Sequence, residues 1–300
     1  MNLFEKHLKK KRDEKKKPKQ PSPLDVKKLD DDSDLSFFQT QSINKIDEEE
    51  EIPATVTSET SPLPEIHNAL ELLERESSPL STGLPVIDKL LRGGLEPRSI
   101  TEVYGTFASG KTQFCFQCAS QVLKLGKKVM FIDTEGTFRP NRILNFLPGM
   151  QNDILRNILT YEARTSEQQI KIIPMIRKKL QKGELALVII DSLTALFRVE
   201  YNGEENLARR QQMINRHLRD ILSLAIEFDI PILVTNQVTG TLEKGEWKNI
   251  AVGGNIVAHG TTHRLEFMRD SGNLKIVTVR DSPNLPVDTA KFRITSEGLV

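Results

Sequence analysis

The stretch I-T-E-V-Y at residues 100–104, followed by G-T-F-A-S-G-K-T at residues 105–112, decides the fold of this chain. The octapeptide matches the phosphate-binding loop pattern G-x-x-x-x-G-K-[ST] in full. An apolar strand is predicted before it and a helix over 112–125 after it, which is the context that gives the pattern meaning. The predicted phosphate site consists of Gly105, Thr106, Phe107, Ala108, Ser109, Gly110, Lys111 and Thr112.

Each residue type in this loop has a chemical role in binding phosphate or a metal ion. Glycine lets the backbone curl so that successive N–H groups face the phosphates. We expect the Lys111 ammonium to contact the β- and γ-phosphates and the Thr112 hydroxyl to bind Mg²⁺. The positive end of the following helix favours the same anion. ATP and Mg²⁺ are therefore the expected cofactors.

Two carboxylates are candidates to complete the site. The apolar run 187–190 ends at Asp191, where a buried strand would place an acid that orients the metal ion. Glu135 follows a second predicted strand, 128–132, and is the candidate that orients or deprotonates water. If that strand neighbours the phosphate-loop strand, its carboxyl end opens on the γ-phosphate. The alternative for Glu135 is a surface residue in a turn.

Periodicity extends the prediction to the rest of the chain. Further strands are expected over 185–190 and 230–235, and helices over 65–75, 166–181 and 205–228. Two alternating segments, 263–269 and 274–280, flank Ser271-Gly272-Asn273 and indicate a hairpin. The predicted class is α/β, with a mostly parallel sheet, helices on both faces and antiparallel strands toward the C-terminal side.

Length, charge and composition limit the domain organisation and the class of protein. It has 300 residues, a formal net charge of +1 and two cysteines. Residues 1–62 are predicted to be a disordered, charged tail, 63–79 a linker helix and 80–300 the folded domain. The basic cluster 6–19 is either a solvated tail or an arm that binds nucleic acid or partners. With no apolar run of about 20 residues, we expect a soluble protein without membrane contact, cytoplasmic or, in a eukaryotic cell, nuclear.

Other suggestive residues are interpreted as structural. Cys115 and Cys118 form C-x-x-C without a second pair, so core packing is favoured over a metal or redox role. His259 and His263 are not expected to form a metal pair. His217 is expected to be solvated on a polar face of the long helix.

Five segments in order carry a family resemblance. They are residues 81–83 (S-T-G), 133–140 (D-T-E-G-T-F-R-P), 235–238 (T-N-Q-V), 253–255 (G-G-N) and 281–283 (D-S-P). Together with the phosphate loop they resemble the RecA-like ATPase core of the archaeal and eukaryotic RecA/RadA recombinases, over residues 65–300. The blocks at 133–140 and 281–283 are more specific than the phosphate loop, which many nucleotide-binding proteins share.

The resemblance implies roles around ATP. Glu135 would be the catalytic glutamate, Gln237 would sense the γ-phosphate, and Arg142 would stack on the adenine. In a filament, ATP would lie between protomers. The residues that would reach a neighbouring protomer's nucleotide are Asp281, Pro283 and His259.

The resemblance also implies two DNA-binding segments, for single-stranded DNA and, as a further candidate, duplex DNA. The first, 198–210, would use Arg198 and Arg210, but Glu204 stands where relatives place a middle arginine. The second, 238–252, offers phosphate contacts and a stacking ring through Lys244, Trp247 and Lys248. The alternative for Trp247 is a packed surface aromatic.

Assembly and the absence of one domain leave two hypotheses open. Ile66 and Ala69 match a motif that strings protomers together, with isoleucine in place of the family's phenylalanine. The helix-hairpin-helix domain of strand-exchanging relatives needs glycine, and none precedes Gly83, so we expect that domain to be absent, as in shorter RadB-like paralogues. The chain is predicted to be either a DNA-dependent ATPase of homologous recombination and repair or an accessory paralogue that binds the main recombinase. A non-DNA ATPase of the superfamily is a remote third.

Overall fold

The computed structural model describes residues 68–74, 77–243 and 246–300, giving the backbone alone at 72 and within 241–249. The predicted tail 1–62 and Ile66 lie outside the described residues. The helices are α1 (Ala69–Glu74), α2 (Pro85–Leu90), α3 (Lys111–Lys124), α4 (Pro140–Asn145), α5 (Ser166–Lys179), α6 (Ala195–Glu200), α7 (Leu207–Phe228) and α8 (Gly254–Gly260), with a 3₁₀ turn at Asn152–Asn157. The strands are β1 (Ile100–Gly105), β2 (Lys128–Asp133), β3 (Ile158–Glu162), β4 (Leu185–Asp191), β5 (Ile232–Glu243), β6 (Glu246–Ala251), β7 (His263–Arg269), β8 (Leu274–Asp281) and β9 (Thr289–Arg293).

The strands form one sheet in the order β3-β2-β4-β5-β1-β7-β8-β9, with β6 paired to β5. The pairs from β3 to β7 are parallel, whereas β7–β8, β8–β9 and β5–β6 are antiparallel. This confirms the predicted α/β class, the mostly parallel sheet and the antiparallel C-terminal hairpin. Strand β1, which leads into the phosphate loop, lies between β5 and β7.

Two hydrophobic cores lie on opposite faces of the sheet, because successive side chains of a strand point to opposite sides. In β4, Leu187 and Ile189 belong to one core and Val188 and Ile190 to the other. Helix α3 packs in the first core and helices α5 and α7 in the second. A strand covered on both faces reads as a continuous apolar run, which is why 187–190 contains no polar residue.

The strand that precedes Glu135 does not neighbour β1. Strands β4 and β5 separate β2 from β1, so the supposition that the strand before Glu135 neighbours the phosphate-loop strand was wrong. Residues beyond β2 and β1 still converge, because all four strands are parallel and their carboxyl ends share one edge of the sheet. Ligands of open α/β sheets bind along that edge.

The segment 238–252, for which no strand was predicted, forms a hairpin. Strand β5 continues to Glu243 and pairs antiparallel with β6, with Leu242 opposite Trp247. This hairpin projects beyond the carboxyl edge of the parallel sheet. Edge strand β3 and the last strand β9 were not predicted either, since each has five residues with mixed polarity.

His217 is fully buried, so the prediction that it is solvated was wrong. It lies on the apolar stripe of α7, between Ile214 and Ile221, and belongs to the side packed against the second core. Its ring lies 5.9 Å from that of Phe197, centroid to centroid. Burial lowers the pKa of His217 from 6.5 to about 4.

Within the described residues, no helix combines the length and the apolar character needed to cross a membrane.

Candidate functional site

The phosphate loop joins β1 to α3 and is shaped by two glycines. A Cβ on Gly105 would lie 2.0 Å from the carbonyl oxygen of Phe267 in β7, so only glycine fits there. Gly110 has φ +102 immediately before α3, a conformation that side chains rarely adopt. Ala108 adopts φ +58 within the same loop. The turn therefore depends on glycine where the sequence pattern requires it.

Most of the predicted nucleotide residues surround one cavity of about 540 Å³ at the carboxyl edge of the sheet. It is lined by Gly105, Thr106, Phe107, Ala108, Ser109, Gly110, Lys111, Thr112, Gln113, Glu135, Thr137, Asp191, Thr235, Gln237 and Val238. The structure thus brings together the whole phosphate loop, both candidate carboxylates and the candidate γ-phosphate sensor. These residues lie on or just after four different strands, which is why only the tertiary structure unites them.

Lys111 is directed back over its own loop. Its ammonium donates to the carbonyls of Gly105 at 2.9 Å and Thr106 at 3.0 Å. Burial lowers the pKa of Lys111, and the nearby charges of Asp191 and Glu135 oppose that shift. A partly desolvated cation beside backbone N–H groups is a suitable receptor for phosphate oxygens.

Asp191 and Thr112 form the candidate metal site. Asp191 is 3% exposed and accepts a hydrogen bond from Thr112 Oγ1 at 2.8 Å and another from Thr235 Oγ1. Burial raises the pKa of the Asp191 carboxyl, and the two hydrogen bonds oppose the shift. A hydroxyl and a carboxylate side by side are the oxygen ligands that Mg²⁺ prefers, so the residues present fit that ion.

Glu135 is placed by the residues that surround its own turn. The Asp133 carboxylate accepts from the backbone N–H groups of Glu135 and Thr137, both at 3.1 Å, and of Phe138 at 2.8 Å. Asp133 thereby fixes the loop that follows β2, and the Glu135 side chain in that loop lines the cavity. Sequence reasoning missed this role, although a strand that ends in aspartate before a turn is a usable signal.

A hydrogen-bonded chain links Glu135 to the first predicted DNA segment. Gln237 Nε2 donates to Glu135 Oε1 at 2.8 Å, and Arg198 Nη1 donates to Gln237 Oε1 at 2.9 Å. Both ends of the Gln237 amide are therefore engaged, one toward the candidate base and one toward α6. The same three residues line a smaller adjoining cavity of about 480 Å³.

Arg142 lies behind the wall of the nucleotide cavity and does not line it. Its Nε donates to Gln113 Oε1 at 2.6 Å, and Nη2 donates to the Thr295 carbonyl at 2.7 Å. One face of the guanidinium lies 4.3 Å from the Phe146 ring centroid. The predicted stacking of Arg142 on adenine thus stays a prediction, with Gln113 as the residue that connects it to the cavity.

The three residues expected to reach a neighbouring nucleotide lie away from this cavity. His259 lines a separate space of about 380 Å³ between α7 and α8. Asp281 ends β8 and Pro283 follows in an exposed loop. That loop is anchored where Ser282 Oγ lies 3.0 Å from Nδ1 of buried His263.

The remaining predicted DNA and assembly residues are dispersed. Arg210 Nη1 donates to the Tyr201 carbonyl at 3.1 Å and braces the turn that carries exposed Glu204. Lys244 lies outside the described residues. Those with a described backbone are Trp247 and Lys248, in β6, and Ala69, which begins α1 with an exposed side chain.

Other predicted structural roles agree with the packing. Cys115 and Cys118 are both fully buried on α3, inside the first core. Burial raises the pKa of both thiols well above the ordinary value, which keeps them protonated and unreactive.

The fold and this cavity define a P-loop nucleoside-triphosphate-binding protein with a RecA-like core. Comparison with known proteins narrows the class. The sequence model of the family described as Rad51 matches residues 75–300. The DNA repair and recombination protein RadA of Metallosphaera sedula is 38% identical over 245 residues, which cover 77% of this chain and 75% of RadA. The chain belongs to the Rad51 family, which confirms the resemblance to RecA/RadA recombinases.

Proposed function

We propose that this chain is a DNA-dependent ATPase of homologous recombination and DNA repair that assembles on single-stranded DNA with ATP bound between protomers. Membership of the Rad51 family and the RadA similarity support this activity. The single observation that carries it is the chain from Arg198 through Gln237 to Glu135. It connects a candidate phosphate contact for DNA directly to the candidate base for hydrolysis.

In this proposal the phosphate loop binds ATP through its backbone N–H groups and the Lys111 ammonium, which exchanges its carbonyl partners for phosphate oxygens. Thr112 and Asp191 hold Mg²⁺, which when bound neutralises charge on the β- and γ-phosphates. Glu135 orients the attacking water and accepts its proton. The fixed turn around Asp133 keeps the Glu135 carboxylate in the cavity.

Gln237 makes hydrolysis responsive to DNA. Its amide is shared between Arg198 and Glu135, so a DNA phosphate that draws the Arg198 guanidinium away changes what Gln237 and Glu135 contact. A charge-assisted hydrogen bond to phosphate is stronger than one to a neutral amide, so the Arg198 guanidinium favours the DNA phosphate over the Gln237 oxygen. In this proposal the Gln237 amide, once its oxygen has lost Arg198, turns away from Glu135 and leaves that carboxylate free for its role in hydrolysis.

Assembly is the second part of the proposal. Residues 80–300 would form the ATPase domain, 63–79 the linker and 1–62 a charged tail. Ile66 and Ala69 of the linker would dock on the next protomer, and Asp281, Pro283 and His259 would reach its nucleotide. Their positions outside the chain's own cavity agree with a role in a neighbour.

An accessory role is the second candidate function. Glu204 is exposed in the turn between α6 and α7, where an arginine would contact DNA. An acid there repels a phosphate backbone and lowers affinity. In that case the chain would hydrolyse ATP slowly and regulate another recombinase without exchanging strands.

ATP hydrolysis measured with and without single-stranded DNA distinguishes the two, with Lys111→Ala as the control that abolishes the phosphate site. Strong stimulation by DNA supports the working recombinase. Slow turnover that DNA does not change, with nucleotide still bound, refutes it and favours the accessory role. Co-precipitation with the cell's main recombinase then tests that second function.

A further inference from the structure

The side chain of Asn236 occupies a buried junction between three segments of the chain. Asn236 is fully buried, and its amide oxygen accepts from the backbone N–H of Gln237 at 2.9 Å and from Thr194 Oγ1 at 2.7 Å. Its amide nitrogen donates to the Val252 carbonyl at 2.7 Å and to Glu102 Oε1 at 2.8 Å. Both donors and both acceptor positions of the amide are therefore used.

The segments that meet at Asn236 are the ones the proposed function needs to coordinate. Thr194 directly precedes α6, which carries Arg198. Val252 ends the segment 238–252, and its N–H donates to the Gln237 carbonyl at 2.9 Å. Asn236 thus holds Gln237 in place and ties it to the bases of both proposed DNA segments.

Glu102 fixes which way the Asn236 amide points. This carboxylate is fully buried in β1, and its second oxygen accepts from Arg264 Nε at 2.6 Å. The Arg264 guanidinium in turn lies 4.9 Å from the Tyr104 ring centroid. A buried carboxylate held by a guanidinium presents only acceptors, so the amide nitrogen of Asn236 must face it. A reversed amide would set oxygen against the Glu102 and Val252 oxygens.

We propose that Glu102 is a positioning residue that orients Asn236 and thereby couples the γ-phosphate sensor Gln237 to both DNA segments. The inference rests on the proposed function and adds a residue that touches neither nucleotide nor DNA. Its chemistry predicts a specific loss. Glutamine at 102 offers one carbonyl where two donors need acceptors, so Asn236 or Arg264 loses its partner.

The test is Glu102→Gln in the full chain, with three measurements: the ATP dissociation constant, kcat with and without single-stranded DNA, and Trp247 fluorescence with ATP and with ADP. Trp247 is the only tryptophan in the sequence and lies in β6, so it reports on the second segment. We expect stimulation by DNA to fall about tenfold and the ATP–ADP fluorescence difference to shrink, while ATP affinity changes less than about threefold.

Glu266→Gln is the matched control. Glu266 lies on β7, two residues after Arg264, and accepts from Arg280 Nε at 2.6 Å, so the substitution breaks an ion pair of the same residue types, more exposed than Glu102–Arg264, that does not reach Asn236. We expect this variant to keep both the stimulation and the fluorescence difference. Equal losses in the two variants would show general weakening of the sheet and overturn the proposal, as would wild-type coupling in Glu102→Gln.

Three further outcomes remain decisive. If Glu102→Gln does not fold by circular dichroism, Thr194→Val removes one bond to the same amide and must reproduce the loss of coupling. If DNA fails to stimulate the wild type, the proposed function is refuted, and the fluorescence difference alone judges Glu102. If the Trp247 fluorescence of the wild type is the same with ATP and with ADP, the proposed coupling is overturned.

Discussion

Acidification should destabilise this fold through one buried imidazole. His217 is fully buried in α7 and its pKa is about 4, against 6.5 for an exposed ring. Among the described residues its Nδ1 has no hydrogen-bond partner, and its Nε2 lies 3.4 Å from Gln169 Nε2, which donates one of its two hydrogens to the Leu193 carbonyl. In the part of the chain that the structure describes no carboxylate pairs with this ring, so a protonated His217 would carry an uncompensated buried charge and the folded state disfavours protonation.

The sign and the size follow from linkage. Because the pKa of His217 is depressed in the folded state, its contribution to stability is complete above about pH 6.5 and is lost as the pH falls toward 4. One unit of pKa corresponds to about 1.4 kcal/mol. With the folded ring half protonated at pH 4, the loss between pH 6.5 and pH 4 is about 3 kcal/mol.

Urea unfolding of the wild type and of His217→Leu, at several pH values between 7 and 4, isolates this contribution. Carboxylates titrate in both proteins, so the difference in unfolding free energy between the two reports on the ring. We expect the wild type to lose about 3 kcal/mol more than the variant over this range. If the unfolding free energies of the wild type and of the variant changed in parallel with pH, the interpretation of His217 as a neutral residue whose protonation destabilises the fold would be refuted.

The other predictions concern the nucleotide cavity. Glu135→Gln should lower kcat by about a hundredfold or more while ATP binding is retained, because glutamine can still accept from Gln237; an undiminished kcat would exclude Glu135 as the base. Arg198→Ala should reduce the stimulation of ATP hydrolysis by DNA, and full stimulation would show that the signal does not pass through Gln237. Ala108→Gly should raise the free energy of unfolding by up to about 1 kcal/mol in thermal melts, since it relieves a left-handed alanine, and a lower melting temperature would contradict this.

Local patterns predicted the centre of the fold well. Short segments were sufficient to predict the phosphate loop, its flanking strand and helix, and the strand that ends at Asp191. In each of these segments the hydrophobicity and the placement of glycine indicate a single local structure. Glu135 reached the cavity although two strands, β4 and β5, lie between β2 and β1. Convergence of parallel strands at one edge, a property of the whole sheet, placed it there.

Features set by tertiary contacts were harder to predict. His217 was interpreted by the polarity of its neighbours in sequence, whereas its spacing of three and four residues from Ile214 and Ile221 places it on the buried stripe of α7. The Arg198–Gln237 contact joins residues 39 apart in the chain, and no local pattern encodes it. Asn236 was noticed only as part of a family motif, since three of its four partners, Glu102, Thr194 and Val252, come from other segments of the chain.

The position of β1 between β5 and β7 has a consequence for synthesis on the ribosome. Glu102 and its ion-pair partner Arg264 are 162 residues apart in the chain. Until β7 has emerged, β1 has an open flank and Glu102 is a carboxylate without its guanidinium. An unpaired strand edge of this kind is a template for aggregation. A nascent chain halted before residue 263 should therefore depend on chaperones, and release of the hairpin β7–β8 should end that dependence.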